Sequence, residues 1–185
     1  MRIDGEHLDP LFADLESALR ELVAPTDSDP SLWDKSEAGK WTAGQHVDHI
    51  VTTLDFTSAA FGEAESRLRA GALPPVPHRR LLQRLWVSFV SRGWFPRGGK
   101  TTPNSYPRGH PERGEVIERM GRAVSRHREI GARLTAPERD RLWIPNLFRP
   151  TWHYTLPEMI RVHAVHARHH ARLIEEIGRA QGTAS

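Results

Sequence analysis

The sequence predicts an all-α protein, organised as an up-and-down four-helix bundle with one additional helix. Apolar residues recur at three- and four-residue steps in five segments, which is the period of an amphipathic helix. Two of these segments begin with the residues of a capping box, and no segment shows the alternating pattern of a strand. The length of 185 residues suits a single domain, residues 1–185, with a sizeable core.

The first predicted helix covers residues 8–23. Its apolar side chains lie at helical spacing: Leu8, Leu11, Phe12, Leu15, Leu19, Leu22 and Val23. The residues that follow, 24–40, are dense in Pro, Asp, Ser and Gly, so we expect them to form a loop.

The second predicted helix, residues 42–70, has a well-defined start. From Thr42 to Gln45 the chain reads Thr-Ala-Gly-Gln, in which the threonine caps a backbone N–H and the glutamine bonds back to the threonine. An apolar stripe follows: Ile50, Thr53, Phe56, Ala60, Phe61, Ala64 and Leu68. We expect Asp48 and Asp55 to point away from this stripe.

The additional helix is predicted over residues 79–93 and is shorter than the others. The aromatic residues in and after it have no obvious place in the core of a four-helix bundle: Trp86, Phe89, Trp94 and Phe95. Exposed apolar patches of this kind mark interaction surfaces, so we predict a homodimer that uses part of this surface. A long loop is predicted to follow, at residues 95–111.

The remaining helices of the bundle are predicted at residues 112–135 and 156–178. The last helix begins with a second capping box, Thr155 to Glu158, which also places a proline in the first turn. Between the two helices, residues 136–154 are predicted to form a linker that contains large aromatic residues.

The last helix carries a run of histidines: His163, His166, His169 and His170. On a helical wheel of roughly 100° per residue, three of them fall within the apolar stripe and His169 lies at its edge. A buried imidazole needs a partner for each ring nitrogen, and several in one layer are hard to satisfy by hydrogen bonds alone. A metal ion binds one nitrogen of each ring, which makes a metal site the best explanation of the group.

Two of these histidines can bind the same ion. His166 and His170 are four residues apart, so their rings lie one above the other on one helix face. On the second helix, His46 and His49 flank the apolar stripe, and His49 lies nearer its inward side. If these helices face each other, His49, His166 and His170 form a three-histidine site with coordination positions open for water or substrate. Taken singly, each histidine is more readily explained as an ordinary core or surface residue, and only the trio together favours a metal.

The composition restricts the available chemistry. The chain contains no cysteine, which excludes disulfides, thiolate metal ligands and a cysteine nucleophile, and leaves His, Asp and Glu as ligands. No apolar run approaches a membrane-spanning length, and the first residues lack the apolar segment of a secretory signal. We therefore expect a cytoplasmic protein with no membrane partner.

The charge gives only a weak indication of nucleic-acid binding. The net charge is +3 and the isoelectric point is about 9.8. Basic residues are spread along every segment and balanced by acidic ones, and no nucleic-acid-binding module is recognisable. We expect no nucleic-acid partner, and salt-dependent DNA binding would test that alternative.

Two segments of the chain form paired motifs: KWTAGQHVDHI at residues 40–50 and HAVHARHHARLIEEI at residues 163–177. Together they resemble the DinB/YfiT-like superfamily, with the resemblance covering residues 8–177. Proteins of this superfamily are helical bundles that bind a metal through one histidine on the second helix, in a segment with a tryptophan, and two in an H-x-x-x-H sequence on the last. The matching positions here are Trp41, His49, His166 and His170.

The resemblance implies a divalent-metal-dependent enzyme that acts on a small molecule, as a hydrolase or a thiol S-transferase. The ion would be zinc or nickel, with iron or manganese as alternatives, and a low-molecular-weight thiol could take part. The implied metal ligands are His49, His166 and His170. Three further histidines, His46, His163 and His169, are candidates for orienting the ligands or lining the pocket. His153 is either an additional pocket residue or an ordinary loop residue.

No catalytic residue is assigned from the sequence. Glu63 lies about four helical turns from His49, which is too far for a general base. The main alternative function is a non-catalytic, stress-related metal-binding bundle that acts by dimerising or by binding a partner. The pocket distinguishes the two, because an enzyme needs an open metal position at the floor of a cleft, whereas a fourth protein ligand closes a structural site.

Overall fold

A computed structural model describes residues 8–37, 39–79, 81–93, 105–147 and 149–182. Within these residues the chain is mostly helical, as the all-α prediction requires. The helices are α1 (Leu8–Ser28), α2 (Ala43–Arg69), α3 (Leu81–Ser91), α4 (Arg113–Ala132), α5 (Ala136–Arg141) and α6 (Leu156–Gly182). The smaller elements are a 3₁₀ helix (Pro30–Asp34) and two antiparallel strands, β1 (Trp143–Pro145) and β2 (His153–Thr155).

Helix α6 lies at the centre of the packing. It runs along α1 and also contacts α2, α3 and α5, while α2 packs against α4 on its other side. The largest fully buried apolar side chains belong to one continuous core: Phe12, Leu15, Leu22, Ile50, Leu54, Phe61, Leu142, Leu156, Ile160 and Ile174. None of the described helices is long and apolar enough to cross a membrane.

The predicted capping box at the start of α2 is confirmed. Thr42 Oγ1 accepts the N–H of Gln45 at 3.1 Å, and the Gln45 side chain accepts the N–H of Thr42 at 3.0 Å. Trp33 of the 3₁₀ helix packs against this first turn at Gly44, where a Cβ atom would come within 2.5 Å of the indole ring. These contacts fix the start of α2, little more than one turn before His49.

The start of α6 is held by a half-buried ion pair. Glu158 accepts the backbone N–H of Thr155 at 2.9 Å, which is one half of the predicted capping box. The same carboxylate binds both terminal nitrogens of Arg79 at 2.5 Å. This pair ties the segment before α3 to the first turn of α6.

Several predicted boundaries are wrong. Helix α6 continues beyond the predicted end at residue 178 to Gly182. Helix α1 continues through Pro25 to Ser28, because Thr26 is fully buried and its hydroxyl donates to the carbonyl of Val23 at 2.9 Å. The predicted linker at residues 136–154 contains α5 and the β1–β2 hairpin. Strands of three residues are too short for the alternating pattern by which a strand is recognised in a sequence.

Helix α3 exposes apolar side chains, as the sequence predicts. The exposed ones are Leu81, Leu82, Leu85 and Phe89. Trp86 differs from the prediction, because it is half-buried and its Nε1 donates to the hydroxyl of Tyr154 at 2.8 Å. Trp94 and Phe95 lie outside the described residues.

Candidate metal centre

Three histidine side chains from α2 and α6 converge inside the protein. Nε2 of His49 lies 3.4 Å from Nε2 of His166, which in turn lies 3.1 Å from Nε2 of His170. All three side chains are buried. One ligand nitrogen from each ring lies within 4.8 Å of the other two. No other three His, Asp or Glu residues in the described part of the chain bring their ligand atoms this close together.

These separations fit a single bound ion. With metal–nitrogen bonds of about 2.1 Å, two ligand nitrogens lie about 3.0 Å apart at an octahedral angle and about 3.4 Å apart at a tetrahedral angle. The two observed nitrogen–nitrogen distances fall within this range. The donor set, three imidazoles without a carboxylate, is one that zinc and nickel accept.

Hydrogen bonding fixes the tautomer of His49. Its Nδ1 bonds to the carbonyl oxygen of Ser105, and this oxygen can only accept. Nδ1 therefore carries the proton, and Nε2 presents a lone pair toward the other two histidines. Metal-binding histidines are typically held by such a bond from the second ring nitrogen.

His46 holds the ring of His170 in place. The Nδ1 atoms of the two rings lie 2.8 Å apart. When His170 donates through Nδ1, its Nε2 is left unprotonated and faces His49 and His166. His46 is thus placed to orient a ligand, which is one of the two roles predicted for it.

The three Nε2 atoms cannot satisfy one another as neutral rings. Burial, reinforced by neighbouring histidines, lowers the pKa of His166 and of His170 well below the ordinary value, and burial also lowers the pKa of His49. At neutral pH the rings are therefore uncharged. When His170 donates through Nδ1, one N–H at most, from His166, lies between two lone pairs, whereas a cation satisfies all three nitrogens together.

Asp48 anchors the segment that supplies the carbonyl of Ser105. Its carboxylate accepts the backbone N–H of Arg108 at 2.7 Å and Nη1 of Arg119 at 2.7 Å. The prediction that Asp48 points away from the core is wrong: its side chain is fully buried, because Arg119 of α4 neutralises it. The sequence neighbour of His49 therefore helps to position the group that fixes the His49 tautomer.

The three histidines open onto a cavity of about 870 Å³ between α2, α3, α6 and the hairpin. Known small-molecule sites have volumes of roughly 300–1,000 Å³. The cavity walls are mostly apolar and aromatic, with side chains that include Trp41, Trp86, Ile144, Trp152, Tyr154, Met159, Val162, Leu173 and Ile177. Trp41 stacks on His170, with ring centroids 6.3 Å apart and 18° between the ring planes.

His163 belongs to a second cluster and not to the converging trio. Its Nε2 lies 2.8 Å from Oγ1 of Thr57, which lies 3.2 Å from Nε2 of His127. Nδ1 of His127 donates to the carbonyl of Ala123 at 2.9 Å. His163 also lines the cavity, which is one of the two roles predicted for it from the sequence. The participation of Thr57 and His127 was not predicted, because neither belongs to a recognisable ligand motif.

The two remaining candidate histidines occupy different environments. His169 is buried, lines the cavity and packs edge-to-face on His170, with ring centroids 5.3 Å apart. His153 is buried in β2, where its Nε2 accepts a hydrogen bond from Nε of Arg79 at 3.2 Å. His169 therefore lines the cavity, whereas His153 is not among the described residues that line it.

Comparison of the chain with protein-family models, with curated proteins and with solved structures finds no match. The resemblance to the DinB/YfiT-like superfamily therefore rests on the paired motifs of the sequence.

Proposed function

We propose that this protein is a divalent-metal-dependent enzyme of the DinB/YfiT-like type, a hydrolase or thiol S-transferase that acts on a small molecule. His49, His166 and His170 hold the ion, which is zinc or nickel, with iron or manganese as alternatives. The observation that carries the proposal is the convergence of three buried, neutral Nε2 atoms at the edge of a cavity of about 870 Å³. A bound ion there supplies Lewis-acid chemistry, which polarises a substrate oxygen or lowers the pKa of a water or thiol.

Residues of the chain itself orient the proposed metal ligands and keep water away from them. Ser105 and His46 fix the rings of His49 and His170. Trp41 covers His170, and the aromatic walls keep bulk water from the trio, which strengthens electrostatic interactions within the cavity. None of the described side chains is assigned as a general base.

We also propose that α1, α2, α4 and α6 form an up-and-down four-helix bundle, with α3 as the additional helix. Contacts of α6 with α1 and α2, and of α2 with α4, support this arrangement. Metal sites in such bundles are built from side chains on facing helices, here α2 and α6. A cytoplasmic location stays a prediction.

A non-catalytic metal-binding bundle is the alternative function. In such a site a fourth protein ligand would close the coordination sphere. Among the described residues no fourth ligand joins the trio, and the trio adjoins a cavity large enough for a substrate. Both features favour the enzyme.

The test is metal content and turnover of the protein purified without a histidine tag, since a tag would bind metal itself. We expect a single divalent ion per chain. We also expect turnover that a chelator abolishes and zinc or nickel restores, in ester hydrolysis or in S-transfer from a low-molecular-weight thiol to 1-chloro-2,4-dinitrobenzene. A protein that never binds an ion, or whose activity survives chelation, would contradict the proposal. Stable metal binding without turnover would favour the non-catalytic alternative.

The homodimer remains part of the proposal, supported by the exposed leucines of α3. Leu82→Glu places a charge on that surface, so we expect it to convert a dimer to a monomer. Because the residue is exposed, the free energy of unfolding of the chain should change by less than about 0.5 kcal/mol. Size-exclusion chromatography with light scattering measures the outcome, and a monomeric wild type at high micromolar concentration would contradict it.

A further inference from the structure

The cavity contains a cationic group that the proposed metal chemistry does not use. We propose that the cavity binds small molecules with an apolar body and a terminal carboxylate. The carboxylate pairs with Arg149, the body packs against the tryptophans, and the other end of the molecule faces the three histidines. This inference rests on the proposed function, because it names the substrate class of the same cavity.

Arg149 lies in the loop between β1 and β2, and it lines the cavity while remaining exposed to solvent. Its guanidinium carbon lies 4.8 Å from the ring centroid of Trp152, and its backbone N–H donates to Oδ1 of Asn146 at 2.9 Å. Its guanidinium forms no ion pair or hydrogen bond with any other residue that the structure describes. A guanidinium stacked on tryptophan is held in a plane, with its N–H donors directed outward for a ligand.

The other cation of the cavity lining is already paired. Lys40 forms an ion pair with Glu37, three residues earlier in the chain. Within the described lining, Arg149 is therefore the cation that remains available to an anionic ligand. A planar guanidinium binds a carboxylate through two parallel hydrogen bonds, a geometry that a lysine does not offer.

The charge balance of the cavity favours a monoanion. Its described lining contains two basic and two acidic residues: Lys40, Arg149, Glu37 and Glu176. A dianion such as a phosphate monoester would meet stronger repulsion from the two carboxylates than a carboxylate ligand does. No carboxylate joins the histidine trio among the described residues, so a bound ion would keep its positive charge and attract an anionic ligand further.

The wall beside Arg149 suits an apolar body. The rings of Trp86 and Trp152 lie with their centroids 6.1 Å apart, and Trp86 is held by its hydrogen bond to Tyr154. Aromatic side chains of this size provide large apolar contact areas at low entropic cost, because each has only two rotatable bonds. The carboxylate partner and the apolar surface are therefore adjacent, which matches a ligand that combines both.

The cavity extends well beyond the three histidines, so a ligand can lie along it with one end at the metal site. Its lining on α6 extends from Met159 to Ile177, which corresponds to about 27 Å along the helix at 1.5 Å per residue. His166 and His170 lie within this stretch. The metal site therefore occupies only part of the cavity and leaves space for a substrate body.

Isothermal titration calorimetry on the metal-free, tag-free full chain at neutral pH tests the inference. The probes are 4-phenylbutyrate and the uncharged 4-phenylbutan-1-ol, which share the apolar body and differ in the carboxylate. We expect the wild type to bind the carboxylate roughly tenfold more tightly. Arg149→Met should remove this preference and keep the affinity for the alcohol, and Arg149→Lys should keep part of it. Arg84→Met, at an exposed arginine of α3 outside the cavity, should behave as the wild type.

Equal affinities for the two probes, binding of neither, or a preference that survives Arg149→Met would overturn the inference. The same preparation is then incubated with zinc and its zinc content is measured. This measurement distinguishes a failure of the carboxylate inference from a failure of the proposed metal function. A protein that binds zinc but shows no preference for the carboxylate contradicts only the inference. A preference that depends on Arg149, in a protein that does not bind zinc, contradicts only the proposed metal chemistry.

Discussion

Two buried histidine clusters lie next to each other along α6, and they differ in how their ring nitrogens are satisfied. In the hydroxyl-bridged cluster, Oγ1 of Thr57 lies 2.8 Å from Nε2 of His163 and 3.2 Å from Nε2 of His127, and it also donates to the carbonyl of Thr53 at 2.9 Å. Nδ1 of His127 donates to the carbonyl of Ala123, so the second ring nitrogen also has a partner. Nδ1 of His163 has no hydrogen-bond partner among the residues that the structure describes.

In the converging cluster, formed by His49, His166 and His170, the rings contact one another directly, without a bridging hydroxyl from any described residue. Nδ1 of His49 is held by the carbonyl of Ser105 and Nδ1 of His170 by Nδ1 of His46, and the Nε2 atoms of both rings face Nε2 of His166. Both clusters are buried to a similar extent, so burial alone does not identify a metal site. The difference lies in whether a neighbouring group can both donate and accept.

Removal of the ion is expected to have the largest effect on stability. An ion present at about 1,000 times its dissociation constant stabilises the folded state by about 4 kcal/mol. We therefore expect the free energy of unfolding, measured by urea denaturation, to fall by about this amount when zinc is replaced by a chelator. Equal values in zinc and in chelator would show that the converging cluster is an ordinary part of the core.

Asp48→Asn tests the anchoring of the Ser105 segment. The neutral side chain weakens the bonds to Arg108 and Arg119, so His49 is held less firmly, and zinc affinity should fall roughly 10–100-fold. Asp55→Asn is the matched control, because Asp55 also pairs with Arg119 but does not contact the Arg108 backbone. A competition titration with a coloured chelator gives the affinities. The same loss in both variants would mean that Arg119, and not the Ser105 segment, is responsible.

The hydroxyl-bridged cluster is expected to give the protein a pH-dependent stability. Burial lowers the pKa of His127 to about 4, against the ordinary value of 6.5. Between these values the unfolded state binds more protons, so the free energy of unfolding decreases as the pH falls. From pH 7 to pH 5, metal-free wild type should lose about 2 kcal/mol more than His127→Phe does. Identical pH profiles from urea denaturation would contradict this.

His169→Ala should have the smallest effect. The ring is buried beside His170 and lines the cavity, but it does not belong to the converging trio. We expect the zinc affinity to change by less than about tenfold, since only a neighbour of a ligand is removed. A loss as large as that of a ligand variant would reassign His169 as a ligand.

The elements of this fold with a strong local pattern were predictable from the sequence. Long amphipathic periods and the capping box at Thr42 are local features, and the structure has a helix at each predicted helical segment. The grouping of His49 with His166 and His170 needed one further assumption, that α2 and α6 face each other. The two helices are in contact, and the three side chains do converge.

Features that depend on a partner elsewhere in the chain were not predictable. A helical wheel assigns Asp48 to the outer side, but it cannot show that Arg119 of α4 lies opposite and permits its burial. Asp55 is likewise half-buried against Arg119 and Arg126. Phe56, assigned to the apolar stripe, is 39% exposed. In each case the position of a neighbouring helix, and not the residue type, decides the outcome.

Zinc binding by His166→Ala and His163→Ala, compared in tag-free protein, tests the assignment of the metal site. The two histidines lie one turn apart on α6 and are similarly buried, but only His166 belongs to the converging cluster. We predict that His166→Ala loses zinc, as do His49→Ala and His170→Ala, while His163→Ala retains it. Retention by His166→Ala, or loss by His163→Ala alone, would contradict the assignment of the metal site.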